Sequence, residues 1–299
     1  MPVRLGTNPI GWSNDDLREL GAETTLETCL SEARAAGYEG IELGHKFPRD
    51  AARLRPILAE HALALVSGWY STALLERDAA AELEAMRPHL DLLRAMGCSV
   101  AIVAETSNAV HGDRSAPLSR RPVLAPEAWP GFAARLTELA EAVAAEGLEL
   151  VYHHHMGTCV QDAAEIAQLM ERSGPAVKLL LDTGHASFAG ADPVALAGSY
   201  RPRIAHVHCK DVRASVMAEA RRQDWSFLDS VVAGVFTVPG DGMVDFPAVL
   251  AELPGYDGWL VVEAEQDPAK AHPLTYARKG HEALACYTRA AGLGTGARR

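Results

Sequence analysis

A single-domain (β/α)8 TIM barrel is the fold class that this 299-residue sequence predicts. Three observations predict it. Strand-like and helix-like stretches alternate from end to end, making eight strand–helix units. No linker divides the chain. Ionisable residues collect at the C-terminal ends of the strand-like stretches, the face on which barrel enzymes work. An open doubly wound sheet is the alternative, and the count favours the barrel because open sheets more often stop at about five or six strands.

The elements follow in order. "VRLGTNP" (3–9) reads as a strand, and "TTLETCLSEARAAG" (24–37) as a helix with a threonine N-cap and a terminal glycine. "YEGIELG" (38–44) and "DAARLRPILAEH" (50–61) form the second unit, "LALVSGWY" (63–70) and an Ala/Leu/Glu-rich helix over 78–96 the third. "CSVAIVAE" (98–105) is the fourth strand, followed by a polar insert (106–125) and a helix within 126–147. "LELVYHHH" (148–155) with a helix over 160–173, and "AVKLLLDTGH" (176–185) with a helix near 192–199, come next. "RIAHVHCKD" (203–211) leads through a long loop (212–244) to a short helix near 245–253. "GWLVVEAEQD" (258–267) and "PLTYARKGHEALACYTRAA" (273–291) close the barrel. The barrel is thus expected over 1–291, and "GLGTGARR" (292–299) is expected to be a disordered tail.

Composition narrows the function classes. A formal net charge of −11 argues against nucleic acid, whose binders need a basic footprint. The five cysteines are scattered and form no C-x-x-C pair, so neither a disulfide framework nor a structural zinc knot is expected. No apolar run reaches the ~18 residues needed to span a bilayer. The N-terminus lacks a basic stretch followed by an apolar one, so a cytoplasmic protein without a membrane partner is expected.

Polar residues mark the strand ends: Asn8, Glu42, Trp69 with Tyr70, Glu105, His153 with His155, Asp182 with His185, His206 with His208 and Lys210, and Glu263 with Glu265. Burying so many ionisable groups without a use is costly. Side chains two apart on a strand share a face. His153 and His155 therefore point together and His154 away; His206, His208 and Lys210 share a face, as do Glu263 and Glu265. Asp182, His208 and one of the two glutamates supply the mixed N/O donors that suit a divalent first-row metal. Glu263 is the preferred glutamate. His185, three residues after Asp182, is a ligand, a supporting partner or a substrate contact. Trp12 and Trp225 read as core, and Trp69 as a wall for a ring-shaped substrate.

"NPIGWSNDD" (8–16), "YHHHMGT" (152–158), "LLLDTGH" (179–185), "HVHCKDVR" (206–213), "VPGDG" (238–242) and "VVEAEQDP" (261–268) together resemble the inosose dehydratases, within the xylose-isomerase-like sugar isomerase/epimerase barrels. "LDTGH" and "HxHxKD" are common to the wider superfamily; the first, second and last of the six segments are more specific. The resemblance implies a Glu–Asp–His–Glu ligand set, with Asp182, His208 and Glu263 or Glu265 as the last three. The first ligand departs from it: where relatives carry "HNHxxEF", the glutamate position falls on Thr158, leaving His155, His153 or a water to fill the gap. It further implies Mn²⁺ or Co²⁺, an association with glutathione that no residue here reveals, a homo-oligomer joined through loops such as 106–125 and 212–244, and loss of water from 2-keto-myo-inositol, a polyol ketone, in inositol catabolism.

Such a reaction removes the proton beside the ketone and expels the β-hydroxyl. Glu42, His155 and the free member of the Glu263/Glu265 pair are candidate bases, Lys210 or His185 the candidate acid. Asn8, Lys46, Trp69 and His206 are candidate substrate contacts. A sugar isomerase or epimerase begins from the same enediolate and is the alternative, separated by its products. An apurinic-site endonuclease would need a basic face. A non-catalytic sugar binder would not need to keep the metal donors.

Overall fold

A computed structural model describes residues 3–294 and contains a closed barrel of eight parallel strands. In chain order the strands are β1 (Arg4–Thr7), β2 (Gly40–Leu43), β3 (Ala64–Thr72), β4 (Val100–Glu105), β5 (Glu149–His153), β6 (Lys178–Asp182), β7 (Ile204–Cys209), a short pair β8 (Asp211–Val212) and β9 (Phe236–Thr237) outside the barrel, and β10 (Trp259–Val262). Each barrel strand pairs with its sequence neighbour, and β10 closes the ring between β7 and β1. The helices are α1 (Leu26–Ala36), α2 (Ala51–Glu60), α3 (Ala79–Met96), α4 (Trp129–Ala145), α5 (Ala163–Arg172), α6 (Thr183–Ala189), α7 (Pro193–Tyr200), α8 (Ala214–Gln223), α9 (Phe227–Ala233), α10 (Phe246–Ala251) and α11 (Pro273–Ala290). None is long and apolar enough to cross a membrane.

Strand parity builds two cores. Leu150, Tyr152, Leu179, Leu181, Val207 and Cys209 face outward into the large core beneath the helices. Val100, Ile102, Val151 and Leu180 fill the barrel interior, with Val66, Trp259 and Val261 as a second interior group. Above Val151, Leu180 and Val261 the same inward parity brings His153, Asp182 and Glu263. The apolar layers therefore form the floor of the polar mouth.

The ends of the elements differ from the sequence expectation. β6 stops at Asp182 because that side chain accepts the Gly184 and His185 amides, both at 2.8 Å, and starts α6 at once. β5 stops at His153 and β10 at Val262, so His155, Glu263 and Glu265 lie on irregular backbone just past their strands. The expected loop 212–244 holds α8, α9 and the β8/β9 pair. Its helices carry readable signals: Ser226 caps α9 through the Asp229 amide, and Gly234 ends it with a positive φ of 88°. At the C-terminus the Gly292 and Leu293 amides donate back to the Arg289 and Thr288 carbonyls, and Leu293 is buried against the core. The rest of the expected tail from Thr295 onward lies outside the described residues.

One helix histidine makes the fold sensitive to acid. His89 on α3 donates through Nε2 to the Gly68 carbonyl at 3.1 Å. Burial pushes its pKa down to about 4, the Gly68 hydrogen bond opposing and Arg49 assisting. An unfolded histidine titrates near about 6.5, so the unfolded state binds more protons between these values. This contribution is complete above about pH 6.5 and is lost as the pH falls towards about 4, by up to about 1.4 kcal/mol per pH unit. His89→Gln is expected to flatten that slope in urea unfolding between about pH 6.5 and about pH 4.5; an unchanged slope refutes it.

Candidate active site

Glu42 stands below the mouth with both carboxylate oxygens engaged. Oε2 accepts from Asn8 Nδ2 at 2.7 Å, and Oε1 lies 2.8 Å from His206 Nε2 and 3.1 Å from His208 Nε2. Burial opposes its ionisation, but His208 and His206 overcome this and hold the carboxyl well below the usual range. Expected as a base, Glu42 instead orients histidines. Asn8 is likewise occupied: while its Nδ2 donates to Glu42, its Oδ1 accepts the Ile10 amide at 2.9 Å.

The Glu42 contact assigns the Nε2 proton of His208 to that carboxylate and turns Nδ1 into the mouth. Nδ1 lies 2.9 Å from Glu263 Oε2, 3.2 Å from His153 Nε2 and 3.5 Å from Asp182 Oδ2. Asp182 pairs with His208 in strand register, so the backbone itself sets that proximity. Burial lowers the basicity of His208, yet the Glu263 and Glu42 carboxylates raise its pKa well above the ordinary value. The extra proton on Nδ1 is the one that a cation would displace.

The donors fit a divalent cation. Asp182 Oδ2 and Glu263 Oε2 are buried and make no hydrogen bond of good geometry with any described residue. His153, Asp182, His185 and Glu263 each offer an atom within 4.8 Å of the others. His185 is the poorer donor of these: its Nδ1 lies 3.2 Å from the Met156 amide nitrogen and its Nε2 2.9 Å from Lys210 Nζ, so both ring nitrogens are engaged. His208 Nδ1 is the better second nitrogen. Asp182 Oδ2, His208 Nδ1, Glu263 Oε2 and His153 Nε2 thus supply two carboxylates and two imidazoles, with the Glu42–His208 pair behind them as the usual orienting contact.

Lys210 lies beside this group, buried, with Nζ 2.7 Å from Glu265 Oε1, 2.9 Å from Glu263 Oε2 and 3.7 Å from Asp182 Oδ2. Phe236 lies beneath the ammonium, 4.6 Å from Nζ to the ring centre. Burial disfavours its charge, but the three carboxylates raise its pKa well above normal. Gly184 makes room for it: a Cβ there would sit 2.5 Å from Lys210 Cγ. Glu265 keeps one buried oxygen, Oε2, without a hydrogen-bond partner among the described residues. Burial raises its carboxyl to about 7, opposed by Lys210 and helped by Glu263. A carboxyl with that pKa and a free oxygen, bonded to a lysine, is suited to proton transfer near neutral pH.

The His155 and His185 rings lie 3.8 Å apart between centres, tilted at 41° to one another. His155 Nδ1 donates to the Met156 carbonyl at 2.7 Å, which leaves Nε2 bare. Burial lowers both histidines well below the ordinary value, His111 and His155 respectively adding to the effect. His154 turns away from the mouth and accepts the Asp182 amide at 3.2 Å.

Comparison with known proteins fits these observations. Residues 30–286 match the family described as xylose isomerase-like TIM barrel. The chain belongs to that family. It is 53% identical over 98% of its length, and 91% of the relative's, to the rhizopine catabolism protein MocC of Rhizobium meliloti. It is 45% identical over 94% of its length, and 95% of the relative's, to inosose dehydratase of Geobacillus thermodenitrificans. Among solved structures, a xylose isomerase domain protein from Alicyclobacillus acidocaldarius superposes with a TM-score of 0.69 at 19% identity, covering 97% of this chain and 99% of that one. IOLI protein with a bound zinc atom superposes at 0.66 with 15% identity, covering 97% and 98%. These structures share the fold.

Within this xylose isomerase-like barrel, some expected residues lie apart from the mouth. Lys46 is a correction: its Nζ donates to the Gly21, Ala22 and Thr24 carbonyls and holds a loop. His206 is held by Glu42 deep in the barrel. Trp69 lies at the mouth, its ring 5.4 Å from His153 and 5.5 Å from His155. Two mouth residues were missed, His111 from the 106–125 insert and Asp16 from the loop after β1. His111 packs edge-on to His155 at 5.1 Å, its buried Nδ1 unpartnered. Asp16 is exposed, next to the buried Leu17. Desolvation raises its carboxyl, His111 opposing and Asp15 and Glu263 assisting.

Proposed function

We propose that the protein is a metal-dependent inosose dehydratase, a hydro-lyase that removes water from 2-keto-myo-inositol to give a trihydroxycyclohexane-1,2-dione in inositol catabolism. The observation that carries this reading is the 45% identity, over nearly the full length of both chains, to inosose dehydratase of Geobacillus thermodenitrificans. Asp182, His208, Glu263 and His153 would hold the cation, Mn²⁺ or Co²⁺. When bound, the cation would supply Lewis-acid stabilisation of the negative charge that develops on the ketone oxygen.

Glu265 removes the proton beside the ketone through its free Oε2. Lys210 donates a proton to the departing hydroxyl. The 2.7 Å Glu265–Lys210 contact then returns the proton from carboxyl to amine, so both groups end as they began. Trp69 and His155 wall the ring and exclude water from the intermediate.

Incubation of the Mn²⁺- or Co²⁺-loaded protein with 2-keto-myo-inositol should build the ultraviolet absorbance of the dione. An isomeric ketose in its place would favour an isomerase or epimerase, and no product with either metal would refute the reading. The base must be ionised, so kcat/KM is expected to fall on the acid side with a midpoint at or below about 7, since a bound cation adds positive charge nearby. Glu265→Gln should remove most of the activity and leave the metal bound.

A second reading rests on the 53% identity to the rhizopine catabolism protein. Rhizopine offered beside the ketone in the same assay separates the two.

A further inference from the structure

We propose that Asp16 and His111, from two loops outside the barrel strands, form a clamp for the hydroxyls on the edge of the substrate ring that faces away from the cation. The inference rests on the polyol substrate class proposed above.

Of the segment "NPIGWSNDD", the barrel and the site account for Asn8, which bonds Glu42. The end of the segment has a different arrangement. Asn14 Oδ1 accepts the Asp16 and Leu17 amides at 2.8 and 2.7 Å, which fixes the turn that presents Asp16. Asp15 is occupied by His45, 2.6 Å from its Nδ1. The Asp16 carboxylate makes no hydrogen bond or ion pair with any described residue. Its neighbour Leu17 is buried in a cluster with Met156, Phe227 and Phe236, and both phenylalanine rings lie against His185, so the turn stands over the mouth.

His111 is held opposite by its backbone and not by its side chain. The Val110 amide donates to the Gly157 carbonyl at 2.8 Å, and Gly157 has a φ of +79°. A Cβ on Gly157 would meet His111 N at 2.9 Å, so only glycine allows the insert to settle on the "MGT" turn. The His111 ring is thereby set against Trp69 and His155, at 6.2 and 5.1 Å between centres. Its Nδ1 is buried with no hydrogen-bond partner among the described residues. An unpaired buried nitrogen costs stability unless a ligand completes it. A free carboxylate and a free imidazole nitrogen beside aromatic walls match a polyhydroxylated ring: the walls meet its C–H faces, the polar pair its hydroxyls. Neither group touches the carbon that loses its proton, so both set affinity and hydroxyl pattern.

The test uses Asp16→Asn and His111→Asn in the Mn²⁺-loaded full chain. Calorimetric titration with myo-inositol, which lacks the ketone and is not dehydrated, reads binding without turnover. The dissociation constant for myo-inositol and the KM for 2-keto-myo-inositol are both expected to rise about tenfold, with bound metal and thermal midpoint retained. A monodeoxy inositol missing the clamped hydroxyl should bind wild type about tenfold more weakly than myo-inositol does, a penalty that disappears in Asp16→Asn. Wild-type affinity in both variants, within about twofold, overturns the clamp and leaves the dehydratase reading standing. If wild type binds myo-inositol and the variants weaken it but no dione forms, the dehydratase reading fails and the clamp stands. If wild type binds neither inositol nor ketone, both are overturned.

Discussion

Asp182→Asn is expected to lose at least about 10³-fold in kcat/KM and to come off a desalting column without stoichiometric metal. The size follows from Lewis-acid stabilisation of several kcal/mol, at about 1.4 kcal/mol per factor of ten. Asparagine is the informative replacement because its oxygen can still cap the Gly184 and His185 amides that Asp182 Oδ1 now accepts. The fold therefore survives while the charge on Oδ2 is gone. Asp182→Ala removes both functions and should lower stability as well, by about 1 kcal/mol for the lost cap. Full metal content in Asp182→Asn, measured by elemental analysis, would exclude Asp182 from the cation site.

The second large effect is expected at Lys210. Lys210→Met keeps much of the side-chain volume and leaves Asp182, Glu263 and Glu265 facing one another without the ammonium. Removing one partner of a buried charge cluster costs about 3–5 kcal/mol, so the metal-free variant should unfold at markedly lower urea than metal-free wild type. Added Mn²⁺ should recover part of the difference, since a cation again offsets the carboxylates. Activity should stay about 10²–10⁴-fold down even in the loaded variant, because the proton donor to the leaving hydroxyl is missing. A loaded variant within tenfold of wild type would remove Lys210 from the proton path.

Much of the barrel was legible because its signals are local. Alternating periodicity and helix caps give eight units, and parity inside the strands separates His153 from His154 and aligns Asp182 with the interior. Parity ceases to apply where the ladder ends. Asp182 turns the chain with its own side chain, so the reading of His155, Glu263 and Glu265 as strand residues extended past the real boundary. Long-range pairing was equally hidden. Glu42 bonds residues 164 and 166 positions away, and nothing near it in the sequence announces that its oxygens are taken. Lys46 was misplaced for the same reason: the three carbonyls it serves gather only once the preceding loop folds. His111 and Asp16 sit on irregular loops, where no period tells which way a side chain points.

Asp182 has a further consequence. One of its oxygens holds the first turn of α6 while the other faces the donor group, so its side-chain torsion was surrendered when the helix formed. A ligand already confined to one rotamer gives up no conformational freedom when it meets a cation. The aim of this carboxylate is inherited from the main chain, and its tolerance for ions of different radius is set by how far the start of a helix can yield.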